Sequence, residues 1–175
     1  MNIYLESVIK RLKYYKELAD KTFSQLEESD FHFQPDKDSN SLAIIIQHMS
    51  GNMLSRWTNF LTEDGEKPWR RRDDEFEIHS STKDQILEDW EKGWDCVFDT
   101  LQQLTEADLA KTIYIRNEPL VVMDALNRQL AHYPYHVGQI VYIGKMIKKN
   151  EWKNLSIEKG RSDQFNQEMK ANAGA

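Results

Sequence analysis

The sequence predicts an all-α protein built as a four-helix bundle, and three observations carry that expectation. Four segments repeat apolar residues at three- and four-residue steps, the period of a helix with one buried face. The segments match in length, roughly 22 to 28 residues or about 33 to 42 Å each at 1.5 Å per residue, so they can lie side by side. Hydrophobic residues make up 39% of the 175-residue chain and include five Trp, enough for one core of ordinary size.

In residues 3–26, Ile3, Val8, Ile9, Leu12, Tyr15, Leu18, Ala19, Phe23 and Leu26 keep to one helical face with no Gly or Pro between them. A polar stretch around Pro35 breaks the pattern. Ser41, a residue type that starts helices, then precedes Leu42, Ile45, Ile46, Met49, Met53, Trp57 and Phe60 at helical spacing. Residues 62–81 carry Gly65, Pro68 and dense charge, and predict a long loop between the second and third helices, placed where it can lie over a site. Thr82 opens the motif TKDQ, after which Ile86, Leu87, Trp90, Trp94, Val97, Phe98, Leu101 and Leu104 sustain a third helix. Residues 111–120, KTIYIRNEPL, fit either a small irregular hairpin or an extended loop. Residues 122–148 give the fourth helix, with a local kink expected at Pro134. Residues 1–150 therefore form the bundle domain. Residues 151–175 form a polar tail that drapes on it through Trp152, Leu155, Ile157 and Phe165 before fraying. Loop lengths leave the order of the helices around the bundle open.

Charge and cysteine content narrow the function. The net charge of −6 is spread along the chain, which favours solubility and argues against a nucleic-acid partner. No apolar run approaches the roughly 20 residues that cross a bilayer, and the charged N-terminus does not read as a signal peptide. The expectation is a cytoplasmic protein without a membrane partner. Cys96 is the single cysteine, so no internal disulfide, thiolate zinc cluster or CxxC pair can form. Metal chemistry must rest on His, Asp and Glu.

His132 and His136 are spaced i, i+4 on the fourth helix, so their rings lie one turn apart and about 40° apart around the axis. Counted from Val122 at 100° per residue they fall at about 280° and 320°, on the flank of the apolar stripe. Counted from Leu42, His48 falls at about 240°, a flank position on the second helix. Flank residues of two helices can face each other across a groove, and three protein nitrogens leave a coordination place for water or substrate. HYPYH is not the HExxH of a metalloprotease, because Tyr133 stands where the glutamate base would be. His32 and His79 have no partners at ligand spacing and read as solvated.

His48 within IIIQHMSGNM, followed 84 residues further on by HYPYHVGQIVYIGKM with its HxxxHxGQI signature, resembles the DinB superfamily of metal-binding four-helix-bundle proteins, also called DinB/YfiT-like. The resemblance extends to the tail segment WKNLSIEKGRSDQFN, which is similar to the ending of an uncharacterised branch of that superfamily. It implies that His48, His132 and His136 are the ligands of one divalent transition metal ion. Three imidazoles suit zinc, nickel, copper or iron(II). Pro134, between two of these residues, departs from the pattern because it removes the backbone hydrogen bond to residue 130.

Two functions follow from the resemblance. The first is a metal-dependent enzyme, a thiol S-transferase in which a small thiol such as bacillithiol is activated on the three-histidine site and attacks an electrophile. The second is a non-catalytic metal-binding stress-response module, in which the ion ties the second helix to the fourth and stabilises a homodimer. The expected partners are a small-molecule thiol or electrophile and a second copy of the chain.

Several other residues bear on the site. Gln47, Asn52, Gln129 and Gln139 are placed to orient an imidazole, although simple exposure to solvent is the readier explanation for most of them. Arg70, Arg71 and Arg72 can gather a carboxylate-bearing substrate, but Asp73, Asp74 and Glu75 follow directly, which favours a self-neutralised loop. Cys96 reads as a small buried hydrophobe rather than a nucleophile. Trp57, Trp90 and Trp94 read as core or dimer-interface residues. Gly138 and Gly144 each cost about 1 kcal/mol against alanine in a helix, and mark either close packing or tolerance.

Overall fold

Helical periodicity translates into helices at every predicted long segment of the computed structural model, which describes residues 2–77, 79 and 81–173. In chain order these are α1 (Ile3–Phe23), a short α2 (Glu28–Phe31), α3 (Leu42–Trp57), α4 (Lys83–Gln103), a hairpin of β1 (Thr112–Ile115) and β2 (Glu118–Val121), α5 (Val122–Lys148) and α6 (Ser162–Ala173). The predicted second, third and fourth helices are thus α3, α4 and α5. Ile78 and Ser80 of the predicted loop, and Gly174 and Ala175 of the predicted tail, lie outside the described residues.

Three of the four long helices, α1, α3 and α4, start where a side chain can take up a free N–H group. Asn2 Oδ1 accepts from the Tyr4 N–H at 2.9 Å, and Ser41 Oγ from the Ile44 N–H at 3.3 Å. Thr82 and Gln85 form a capping box, each side chain bonded to the other's backbone N–H. α5 has no side-chain cap at its start; the Val122 and Met123 N–H groups instead bond the carbonyls of Lys111 and Leu109.

α3 packs most extensively on α4 and α1 on α5, with further contact between α3 and α5 and between α1 and α4. Leu5 and Leu12 from α1, Met49 and Met53 from α3, Trp90 and Trp94 from α4, and Val137 and Ile140 from α5 meet in one continuous core. Trp57, Trp90 and Trp94 are at most 1% exposed, which places all three inside the chain's own core and away from any outer interface. Against α1, α5 comes so close that a Cβ on Gly144 would meet Thr22 Cγ2 at 2.5 Å, whereas one on Gly138 would meet nothing within 4 Å. Close packing explains the first glycine and tolerance the second.

The sequence leaves two segments open or loosely described. The hairpin reading of residues 111–120 is the correct one: β1 and β2 pair antiparallel, with Arg116 and Asn117 as a two-residue turn at φ of 56° and 63°. Positive φ at both central residues defines a type I′ turn, whose twist matches that of paired strands. Asp64 fixes it from the α3–α4 connection, accepting the Arg116 and Asn117 N–H groups at 2.8 Å each. In the tail, the Lys153 N–H bonds Gln25 Oε1 at 2.8 Å, and Ser162–Ala173 form α6. Phe165 and Met169 on α6 remain exposed. No described helix is long and apolar enough to cross a membrane.

Candidate metal centre

α5 continues through Pro134 as unbroken helix and carries His132 and His136 one turn apart, while α3 carries His48 opposite them. One nitrogen from each of the three imidazoles lies within 4.8 Å of the others, so the group could hold a metal ion. The Nε2 atoms of His132 and His136 face each other at 3.0 Å, and their ring centroids lie 5.7 Å and 5.0 Å from that of His48. A tetrahedral ion with bonds of about 2.1 Å to nitrogen sets its ligand atoms about 3.4 Å apart, so modest ring rotations bring this donor set into range. Removal of the Leu130 carbonyl's partner at Pro134 leaves the two α5 rings converging.

His48 is only 7% exposed, deeper than a flank position implies. The difference comes from the α3–α4 connection, which folds back over α3. A 3₁₀ turn at Asp73–Phe76 lays Phe76 against the His48 ring at 4.9 Å between centroids. Glu75 Oε2 lies 2.9 Å from His48 Nδ1, and the same carboxylate accepts two hydrogen bonds from Arg70, at 2.7 Å and 2.8 Å. The loop is self-neutralising, as its charge order predicts, yet the neutralised pair is buried and braces an imidazole.

Electrostatics fix which nitrogen each ring offers. Burial alone would raise the Glu75 carboxyl, but its bonds to His48 and Arg70 outweigh that and hold it below the usual carboxylate range. An ionised carboxylate only accepts, so His48 Nδ1 carries the proton of that bond and Nε2 is the nitrogen that Glu75 does not engage. His136 Nδ1 pairs with Gln139 Oε1 at 2.8 Å, leaving Nε2 as the lone-pair atom. Burial first, then the neighbouring His136 and His48, pushes His132 down to about 3. Burial also lowers His136. Rings kept uncharged near neutral pH are in the state that metal coordination requires.

Among the four amide residues singled out in the sequence, only Gln139 touches a site imidazole. Gln47 donates to the Asp74 carbonyl at 2.8 Å, and Asn52 Oδ1 accepts from the Tyr133 hydroxyl at 3.3 Å. His32 is half-buried and bonded to the Ser81 carbonyl at 2.9 Å rather than solvated, and it stands apart from the cluster, as does the exposed His79. Cys96 is half-buried beside Thr58, and burial raises its thiol, so it makes no nucleophile.

Beside the histidines opens a cavity of about 250 Å³ lined by His48, His132, Asn52 and Gln129 together with Arg56, Arg70, Arg72, Arg116 and Arg128. These arginines come from α3, the α3–α4 connection, the hairpin turn and α5. Sequence reading weighed Arg70 and Arg72 but not Arg56, Arg116 or Arg128, because nothing local marks residues that only the fold assembles.

A mostly helical chain with one small hairpin among the described residues and a three-histidine cluster, buried at His48 and half-buried at His132 and His136, defines the class: a helical protein with a candidate metal centre. The chain belongs to the family described as "Protein of unknown function (DUF1572)", which matches residues 1–161. Searches among curated proteins and among solved structures find no significant match.

Proposed function

We propose that this chain is a metal-dependent enzyme of the DinB type. In this reading α1, α3, α4 and α5 form the four-helix bundle of that superfamily, and His48, His132 and His136 bind one divalent transition metal ion. The observation that carries it is the convergence of three imidazoles within 4.8 Å at the edge of a 250 Å³ cavity. Support comes also from the bracing of the rings. Glu75 and Gln139 hold the Nδ1 atoms of His48 and His136, as outer partners of metal-binding histidines do.

A divalent ion bound there supplies Lewis acidity, which lowers the pKa of a thiol or water in a coordination place the protein leaves open. The chain's own residues supply position. Arg70 holds Glu75, Glu75 holds His48, and Phe76 closes the outer side of the His48 ring. The activated group we propose is the sulfur of a small thiol: the S–H proton would pass to solvent, an S–C bond would form at an electrophilic carbon entering by the cavity, and the bond from that carbon to its leaving group would break. No serine or cysteine of the chain is needed as the nucleophile.

The test is turnover of a chromogenic electrophile by zinc- or nickel-loaded protein with and without a small thiol. Conjugation that needs both metal and thiol, and that disappears in His48→Ala, is the expected result. Metal uptake with thermal stabilisation but no turnover supports the non-catalytic module instead. Failure to take up any transition metal overturns both.

A further inference from the structure

The cavity beside the histidines is a concentration of positive charge in an acidic protein. Five guanidinium groups line it and no carboxylate does, although the chain as a whole carries −6. Glu66 pairs with Arg56 and Arg116, Glu75 with Arg70, and the fully exposed Asp73 lies 3.8 Å from Arg72. Five guanidinium groups thus share three ion-paired carboxylates at the cavity wall. Arg128 forms no hydrogen bond or ion pair among the described residues and lies exposed at the rim.

Two polar atoms of the lining are buried without partners. Arg70 has a side chain only 2% exposed, and its Nη1 lacks a hydrogen bond, since Glu66 Oε2 stands 3.6 Å away. Gln129, 5% exposed, has an unpartnered Oε1. Buried polar groups are almost always satisfied, and a guanidinium N–H left open at a cavity wall waits for an acceptor. Guanidinium forks match the planar or tetrahedral oxygens of carboxylate and phosphate, often with two bonds per pair.

We infer that this cavity binds a small polyanion bearing carboxylate or phosphate groups, seated on Arg56, Arg70, Arg72, Arg116 and Arg128 with one end against His48 and His132. At about 250 Å³ it lies just below the roughly 300–1,000 Å³ of pockets for drug-sized ligands, so the anion is small. The inference deepens the proposed function by giving its substrate a charge class, and rests on that reading only for the role of the histidine end; anion capture itself requires the arginines alone.

The experiment is calorimetric titration of the full-length, metal-free protein at low ionic strength with sodium malonate and, separately, with inorganic phosphate, repeated on Arg128→Gln and Arg116→Gln. Expected is saturable one-to-one binding of at least one anion, weakened about tenfold by Arg128→Gln, the loss of one charge-assisted contact. The tighter of the two anions assigns the ligand as a carboxylate or a phosphate compound. No saturable binding of either, or binding that both substitutions leave within twofold, overturns the inference. Zinc titration of the same wild-type samples separates the readings, since anion binding without zinc uptake removes the metal centre and leaves the polyanion pocket standing.

Discussion

A carboxylate oxygen of Glu75 occupies the space that a side chain on Gly51 would need. Gly51 lies one turn beyond His48 on α3, so a missing methyl group on that helix is what lets Glu75 reach the imidazole. The far end of a glutamate is ordinarily free to swing aside. This one is held by His48 on one side and Arg70 on the other.

Gly51→Ala is therefore expected to push Glu75 off His48 while leaving the helix intact, alanine being the better helix former. Loss of such an outer partner costs about 10- to 100-fold in metal affinity. Zinc titration should show that fall with an unchanged far-ultraviolet spectrum. Glu75→Gln, which keeps the shape and removes the charge, should reproduce it in part. Wild-type affinity in both variants would mean that Glu75 does not support the site.

Metal should stabilise the fold by linking α3 to α5. Zinc at a hundred times its dissociation constant adds about 2.7 kcal/mol. In a domain of this size that raises the melting temperature by about 5 to 10 °C. Thermal scans with and without zinc should show the rise in wild type and lose it in His48→Ala and in His132→Ala.

Asp64 links the α3–α4 connection to the hairpin turn. Burial would raise its carboxyl, but the backbone N–H groups of Glu66, Asn117 and Arg116 outweigh that and lower it. A carboxylate depressed in the folded state stabilises above its ordinary value, about 3.9, and that contribution disappears as pH falls through the folded value. Asp64→Asn is expected to cost about 1–2 kcal/mol at pH 7, through weakened bonds to the turn. Urea denaturation should show the difference from wild type narrowing below about pH 4. A difference that stays constant in acid would rule out the charged form as its source.

The two glycines of α5 should respond in opposite directions. Gly138→Ala adds a methyl group in open space and gains helix propensity, so it should stabilise by about 0.5–1 kcal/mol. Gly144→Ala drives a methyl group into the buried Thr22 and should destabilise by about 1–3 kcal/mol. Denaturant midpoints of the pair measure the local closeness of α1 and α5 directly.

Much of this architecture was legible from apolar spacing and caps. The signals at Ser41 and Thr82 mark the starts of α3 and α4, and the periodic run of residues 122–148 coincides with α5 at both ends. The hairpin was ambiguous because four-residue strands with a proline carry little alternation, and Arg116-Asn117 is an uncommon dipeptide for a turn that needs positive φ twice. The four-residue α2 is too short to show a period. His132 and His136 were visible through helical spacing. His48 required the resemblance to a known superfamily, since spacing alone placed it on a flank. Glu75, Gly51 and the arginine-lined cavity escaped because they depend on an irregular connection folding back across α3. His48 and Glu75 are 27 positions apart, and nothing in the sequence between them announces their meeting.

Tyr133 stands between the two α5 histidines in sequence but points the other way, fully buried, with its hydroxyl receiving the Trp57 indole N–H at 2.8 Å. That bond joins α5 to α3 inside the core, one residue from His132, and opposes rotation of one helix against the other. Folding itself sets the aim of the rings before any ion arrives. An incoming cation would then meet rings that need only modest rotation, so little ordering entropy would offset its coordination energy.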